Sequence, residues 1–201
     1  MPGIVGALVG APPVVQRELL SLLGRLTTVL PEFPIEEYLR NADPLVRREA
    51  VKLMVRMPAA RDGAILSAVS DEDDRVVFVG LTAAQESCPP DALPILRERV
   101  DHDELDSKLR TMCIRIVAQN QPTTETLQWL LGMVVTKARW PRRPKLRPST
   151  PEMLAALSSI ASRWREHPGA ATGIKLAEHS KDEAIRAKVR MSNAGPRKSE
   201  A

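Results

Sequence analysis

Asp43-Pro44-Leu45-Val46-Arg47 opens a phrase that returns as Asp74-Arg75-Val76-Val77-Phe78, as Asp106-Ser107-Lys108-Leu109-Arg110 and as Asp182-Glu183-Ala184-Ile185-Arg186. The first two steps are 31 and 32 residues, the range in which self-similarity marks a stacked array of helical units. The phrase reads as a helix start. An Asp side chain accepts from the free N–H groups of a first turn, and Pro44 sits at the first helical position, where its missing N–H costs little. Val46, Ala50, Leu53 and Met54 follow at three- and four-residue intervals, which makes one buried stripe. Val77, Leu81 and Ala84 take these places in the next unit, and Leu109, Cys113 and Ile116 in the one after.

Each stripe ends at a breaker, and a second helix begins. Met57-Pro58-Ala59 precedes Ala64-Ile65-Leu66 and Val69; Cys88-Pro89-Pro90 precedes Ala92-Leu93 and Leu96; Asn120-Gln121-Pro122 precedes Leu127, Leu130 and Leu131. Proline stops one helix and is tolerated near the start of the next, so the unit is helix–turn–helix in about 31 residues. Working outward, an upstream unit starts at Pro12, with Val15, Leu19 and Leu22 in the first helix and Pro34-Ile35 and Leu39 in the second. Downstream, the longer step to Thr150-Pro151 restores the pattern through Met153, Leu157 and Ile160, and Asp182 follows. The expected fold is an all-α, right-handed solenoid of about five to six helix pairs, one array over residues 1–191 with a disordered basic tail at 192–201. Its ends are half-units: Ile4 and Leu8 fit a second helix without its first, and the last unit stops after Met191. A terminal repeat needs a polar outer face. The first segment lacks one, so two expectations stay open: the half-units act as caps, or the chain is a module or fragment of a larger array.

The Asp-Pro-x-Val-Arg opening with Ala50 seven residues after its Asp, and the Ala92-Leu93-Pro94-Ile95-Leu96 second helix, resemble HEAT repeats over residues 12 to about 191. The short bacterial type first associated with phycobilisome lyases is the closest subclass. Phe78 stands where that pattern has Arg, and the Thr150 unit is degenerate. The resemblance implies stacked helix pairs and protein–protein scaffolding. Two HEAT-like subfamilies are active, the bilin lyases or isomerases and the alkylpurine DNA glycosylases. The glycosylase type implies aromatic and acidic residues in a basic groove, whereas aromatics are only 3% of this chain. Bilin lyase-like activity would rest on analogy of fold alone.

Charge is unevenly spread. The net +4 divides into +6 over residues 137–147, +4 over 186–201 and −6 elsewhere. The stretch 137–149 reads as a basic, proline-stiffened insertion in one inter-repeat connection. Its Lys137, Arg139, Trp140, Arg142, Arg143, Lys145 and Arg147 form one candidate contact surface, for an acidic protein or for nucleic acid with Trp140 stacked on a base. The bland alternative is a solvated loop with Trp140 and Leu146 folded back on the array. Pro141-x-x-Pro144 fits a proline-recognition groove only weakly, and capping accounts for Thr150 better than phosphorylation does.

The principal candidate surface is the concave face lined by second helices, with Asp62, Ser67, Arg97, Gln128 and Trp129 as its polar positions; Trp129 also fits the core. No catalytic residues, cofactor or metal are expected. Cys88, Cys113, His102, His167 and His179 have no ligand spacing, and Cys113 reads as a small buried thiol at the place of Ala50 and Leu81. Asp71-Glu72-Asp73-Asp74 and Asp101-His102-Asp103-Glu104 precede repeat starts, where acids cap helices. The two cysteines imply no disulfide framework, and a cytoplasmic location is expected. No stretch has the roughly 20 apolar residues that span a bilayer, and no positive segment precedes the apolar N-terminus, whose first charge is Arg17. A non-catalytic binding scaffold of unspecified protein partner is the expectation, with binding of nucleic acid or an acidic partner through the insertion and tail as the rival.

Overall fold

In the computed structural model, which describes residues 6–26, 35–102, 105–136 and 144–191, helices form where the apolar spacing requires them. They are α1 (Pro13–Leu26), a 3-10 helix (Ile35–Arg40), α2 (Pro44–Met54), α3 (Pro58–Val69), α4 (Asp74–Glu86) and α5 (Ala92–Asp101). Then come α6 (Ser107–Asn120), α7 (Thr124–Val134), α8 (Pro151–Arg163), α9 (Pro168–Glu178) and α10 (Glu183–Met191). No strand occurs among the described residues; Val135 and Leu146 meet in one isolated antiparallel bridge. The fold is all-α. The second helix expected around Ile35 and Leu39 is the six-residue 3-10 segment. Ile4, Pro34 and the tail 192–201 lie outside the described residues.

Capping chemistry sets the starts. Asp43 accepts the Leu45 N–H at 2.8 Å, Asp106 accepts the Leu109 N–H at 2.8 Å, and Thr150 and Asp182 do the same for Met153 and Ala184. In the third unit the cap is Asp73, which accepts the Arg75 N–H at 2.9 Å, and Asp74 is already helical. This corrects the register expected from the phrase: the cap-to-cap steps are 30 (43 to 73) and 33 (73 to 106) residues. Buried positions follow the caps. Val46, Arg47, Ala50, Val51, Leu53 and Met54 correspond one for one to Val76, Val77, Gly80, Leu81, Ala83 and Ala84. Val77, not Phe78, therefore stands in the Arg47 position, and the counterpart of Cys113 is Gly80, not Leu81. Phe78 moves to the outer face, 40% exposed.

A second recurrence lies two residues before the caps. Asn41, Asp71 and Ser180 each accept the N–H of the following cap, at 2.9, 2.9 and 3.1 Å. Arg47 and Arg186 each donate back to the carbonyl of that residue, Asn41 or Ser180, at 2.9 and 2.5 Å. Arg47 also grips Asp71 with two hydrogen bonds of 2.7 Å, and the pair is almost fully buried. One arginine thus ties the start of its own helix to the turn before α4.

The chain gathers into two compact units, residues 1–98 and 99–201. In the first, α2 packs on α1, the 3-10 helix, α3 and α4, while α3 also packs on the 3-10 helix and α4. Leu8, Leu20, Leu23, Ile35, Tyr38, Val46 and Leu53 form its core. α3 and α4 approach so closely that a Cβ on Gly80 would lie 2.6 Å from Ala68 Cβ and 3.3 Å from its carbonyl carbon. In the second unit, α8 packs on α6, α7, α9 and α10, and α7 also on α6 and α9. Ile114, Leu127, Leu130, Leu157, Ile160, Trp164, Ile174 and Ile185 close that core. Within either unit, packed elements are neighbours or next-neighbours in chain order. No helix among the described residues is long and apolar enough to cross a membrane.

Candidate binding cleft on the first unit

A hollow lined by both charged and apolar side chains lies in the first unit, where α2 is flanked by α1 and α4. With 11 residues, α2 is shorter than α1 with 14 and α4 with 13. A cavity of about 620 Å³ opens between them. Its floor and wall are apolar, with Leu20, Leu53, Val55, Phe78, Val79 and Ala83. Five cations border it, Arg25, Arg48, Lys52, Arg56 and Arg61, against two carboxylates, Glu49 and Glu86.

These charges fall into two sets. Arg56 Nη1 donates to the Gly24 carbonyl in the last turn of α1. Arg61 donates to the Ala83 carbonyl in the last turns of α4 at 3.0 Å and to the Val55 carbonyl just past α2 at 3.5 Å, and pairs with Glu86 at 3.0 Å. Carbonyls near helix C-termini carry partial negative charge, so two arginines are held at the ends of α1, α2 and α4, where the Ala83 carbonyl also accepts the Ser87 N–H at 3.2 Å. Arg25, Arg48 and Lys52 stand on the rim instead. Lys52 meets Glu49 at 2.7 Å, and Arg48 lies 4.0 Å from the same carboxylate. In the cap-based register Phe78, Thr82 and Glu86 on α4 correspond to Arg48 and Lys52 on α2 and to Arg56 just past its end, so the same line of positions faces the cleft in both cases.

The sequence-derived surface residues are dispersed. Asp62 and Ser67 are on α3, exposed and half-buried; Arg97 on α5 is half-buried. Asp62 lies near Cys88, whose thiol is pushed up to about 11 by burial, with the Asp62 carboxylate adding to the effect. In the second unit Gln128 is exposed on α7, whereas Trp129 packs partly buried against the core and its indole Nε1–H donates to Asp101 at 2.7 Å. Trp129 is thus tied down on both its apolar and polar sides.

Lys137, Arg139, Trp140, Arg142 and Arg143 of the insertion lie outside the described residues. Lys145 and Arg147 are exposed. Their backbones close the base of the loop: the Thr136 N–H donates to the Lys145 carbonyl at 2.8 Å and the Arg147 N–H to the Val134 carbonyl at 2.9 Å. Leu146, between them, folds back against the core of the second unit.

The acidic runs are largely occupied by structure. Asp73 is held down at about 2 by its hydrogen bonds with Arg75. Asp71 is committed to Arg47. Asp101 ends α5 and bonds Trp129, so it is not the turn cap expected for it; Asp103 and Glu104 lie outside the described residues. Among the described residues no group of three His, Cys, Asp or Glu side chains is arranged to hold a metal ion. His167 caps α9, its Nδ1 accepting the Gly169 N–H at 3.1 Å. Cys113 is fully buried and Cys88 half-buried, and neither thiol is in a disulfide.

The chain matches no protein-family model, no curated protein and no solved structure.

Proposed function

We propose that this chain is a non-catalytic binding scaffold, a HEAT-like solenoid that holds a protein partner on the side chains of its helices. The observation that carries the reading is local packing. Within each unit the packed helices bury their stripes on neighbours or next-neighbours in chain order, and between α1, α2 and α4 this leaves an amphipathic cleft of about 620 Å³. Repeat arrays of this construction offer extended side-chain surfaces for association. Asp43, Asp73, Asp106 and Asp182 serve as caps, and Arg47 with Asp71 and Arg61 with Glu86 as ion pairs. The solenoid's hand, its period and the concave role of Asp62, Ser67, Arg97, Gln128 and Trp129 belong to this proposal, as does a cytoplasmic location.

The test is affinity capture on the full tagged chain after nuclease treatment, repeated with Arg139, Arg142, Arg143 and Arg147 all changed to Ala. The scaffold reading expects one protein captured at similar yield by both chains. If the captured material is nucleic acid, lost with rising salt and lost with the fourfold variant, the scaffold reading fails in favour of phosphate binding through the insertion.

A further inference from the structure

We propose that the cleft across α1, α2 and α4 is a receptor for an acidic amphipathic helix of a partner protein. The inference rests on the scaffold reading and specifies where the partner docks and what chemistry it brings. Three observations select the occupant.

The first is charge: five cations border the cavity against two carboxylates, although the chain outside the insertion and tail carries a net −6. A carboxylate-bearing partner is favoured here, and a basic one meets Arg25, Arg48 and Lys52. Complementarity of this kind discriminates between partners more than it adds raw affinity.

The second is the floor. Phe78 is 40% exposed, and Val55 and Val79 are half-buried beside it. Such a surface takes apolar side chains at helical spacing, the mode of a helix laid into a groove.

The third is the state of the backbone. The groove walls are helices whose polar backbone groups are engaged along their length. At the ends, the carbonyls of Gly24, Val55 and Ala83 are taken by Arg56 and Arg61. An extended peptide would find no edge to pair with and would bury unsatisfied N–H and C=O groups. A helix brings its own hydrogen bonds, so only its side chains need partners.

In the docked complex the occupant's apolar stripe covers Phe78, Val79 and Val55. Glu or Asp side chains flanking the stripe reach Arg25, Arg48 and Lys52. Arg56 and Arg61 hold the groove's shape through the three carbonyls and are positioning residues.

The experiment is a selection on the full chain from a displayed library of amphipathic helical peptides. Apolar residues are fixed at helical intervals and every other position is randomised among Glu, Lys, Gln and Ala. Enriched peptides are then measured by fluorescence anisotropy against wild type, Phe78→Ala and the triple variant Arg25→Glu, Arg48→Glu, Lys52→Glu. All three charge changes lie on the rim, and circular dichroism checks the variant's fold. The expected result is enrichment of Glu-rich sequences whose affinity drops about ten-fold or more in the triple variant and several-fold in Phe78→Ala, with displacement by an acidic but not a basic peptide. Enrichment of neutral or basic sequences, failure to enrich any, or undiminished binding to the folded triple variant overturns the proposal. So does displacement of the peptides by an oligonucleotide that binds more tightly, which would assign the rim to phosphate. If peptides fail while the captured protein of the scaffold test persists, the cleft assignment falls and the scaffold reading stands.

Discussion

Arg47 shows how one side chain can organise a local fold. Its guanidinium makes two hydrogen bonds of 2.7 Å to Asp71 and a third, of 2.9 Å, to the Asn41 carbonyl, with 8% of the residue exposed. Removing one partner of such a pair strands a buried charge, so Asp71→Ala should cost about 3–5 kcal/mol in chemical denaturation. Replacing both partners together with apolar residues of similar volume should cost less than Asp71→Ala alone. Asp73 gives a pH signature. Its carboxyl lies at about 2 in the folded chain against an ordinary 3.8, because Arg75 and the helix N–H groups favour the charged form. A lowered folded value stabilises the fold above the unfolded pKa, and that stability is lost as pH falls through the folded one. Asp73→Ala should therefore cost about 1 kcal/mol at neutral pH, and wild type and variant should converge as pH falls from about 4 toward 2, followed by urea melts. The raised thiol of Cys88 predicts slow alkylation at pH 8 relative to a free cysteine, with the rate climbing toward pH 11.

At the scale of elements, the glycines separate helix propensity from packing. A Cβ on Gly80 of α4 would meet Ala68 at 2.6 Å, whereas one on Gly63 of α3 meets nothing within 4 Å. Gly80→Ala should destabilise by about 1–3 kcal/mol through overpacking. Gly63→Ala should stabilise by about 0.5–1 kcal/mol, and thermal melts of the two variants should shift in opposite directions. The same region of the chain shows what the sequence can reveal. Asp43-Pro44 and the Val46, Ala50, Leu53 stripe locate α2 because capping and burial are local chemistry. The repeated phrase sets the third unit one residue out of register because Asp73 and Asp74 are both able caps, and only the packing of Val76 and Val77 chooses between them. That shift hides the outward placement of Phe78. The cleft is legible only in part: Arg48, Lys52 and Arg56 recur every four residues opposite the buried stripe of α2, a visible line of charge. Nothing local announces that α2 stops short of its neighbours, or that Arg56 and Arg61 spend their donors on helix ends.

At the scale of the whole molecule, stability is built from successive local contacts within each unit, between helices that are neighbours or next-neighbours in chain order. In the first unit this leaves the amphipathic cleft between α1, α2 and α4. Trp129 and Leu146 fit the same logic, each drawn onto the core of the second unit, Trp129 as the core alternative to a surface position and Leu146 as the folded-back loop residue. A nearest-neighbour assembly loses stability where it is cut, whereas a single cooperative core loses it everywhere. Native-state hydrogen exchange on the full chain carrying Ile185→Ala in α10 separates the two. Under local packing, α8 and α9 lose protection most, α6 and α7 less, and α1 to α4 keep wild-type protection. An equal loss of protection in every helix from α1 to α10 would contradict it.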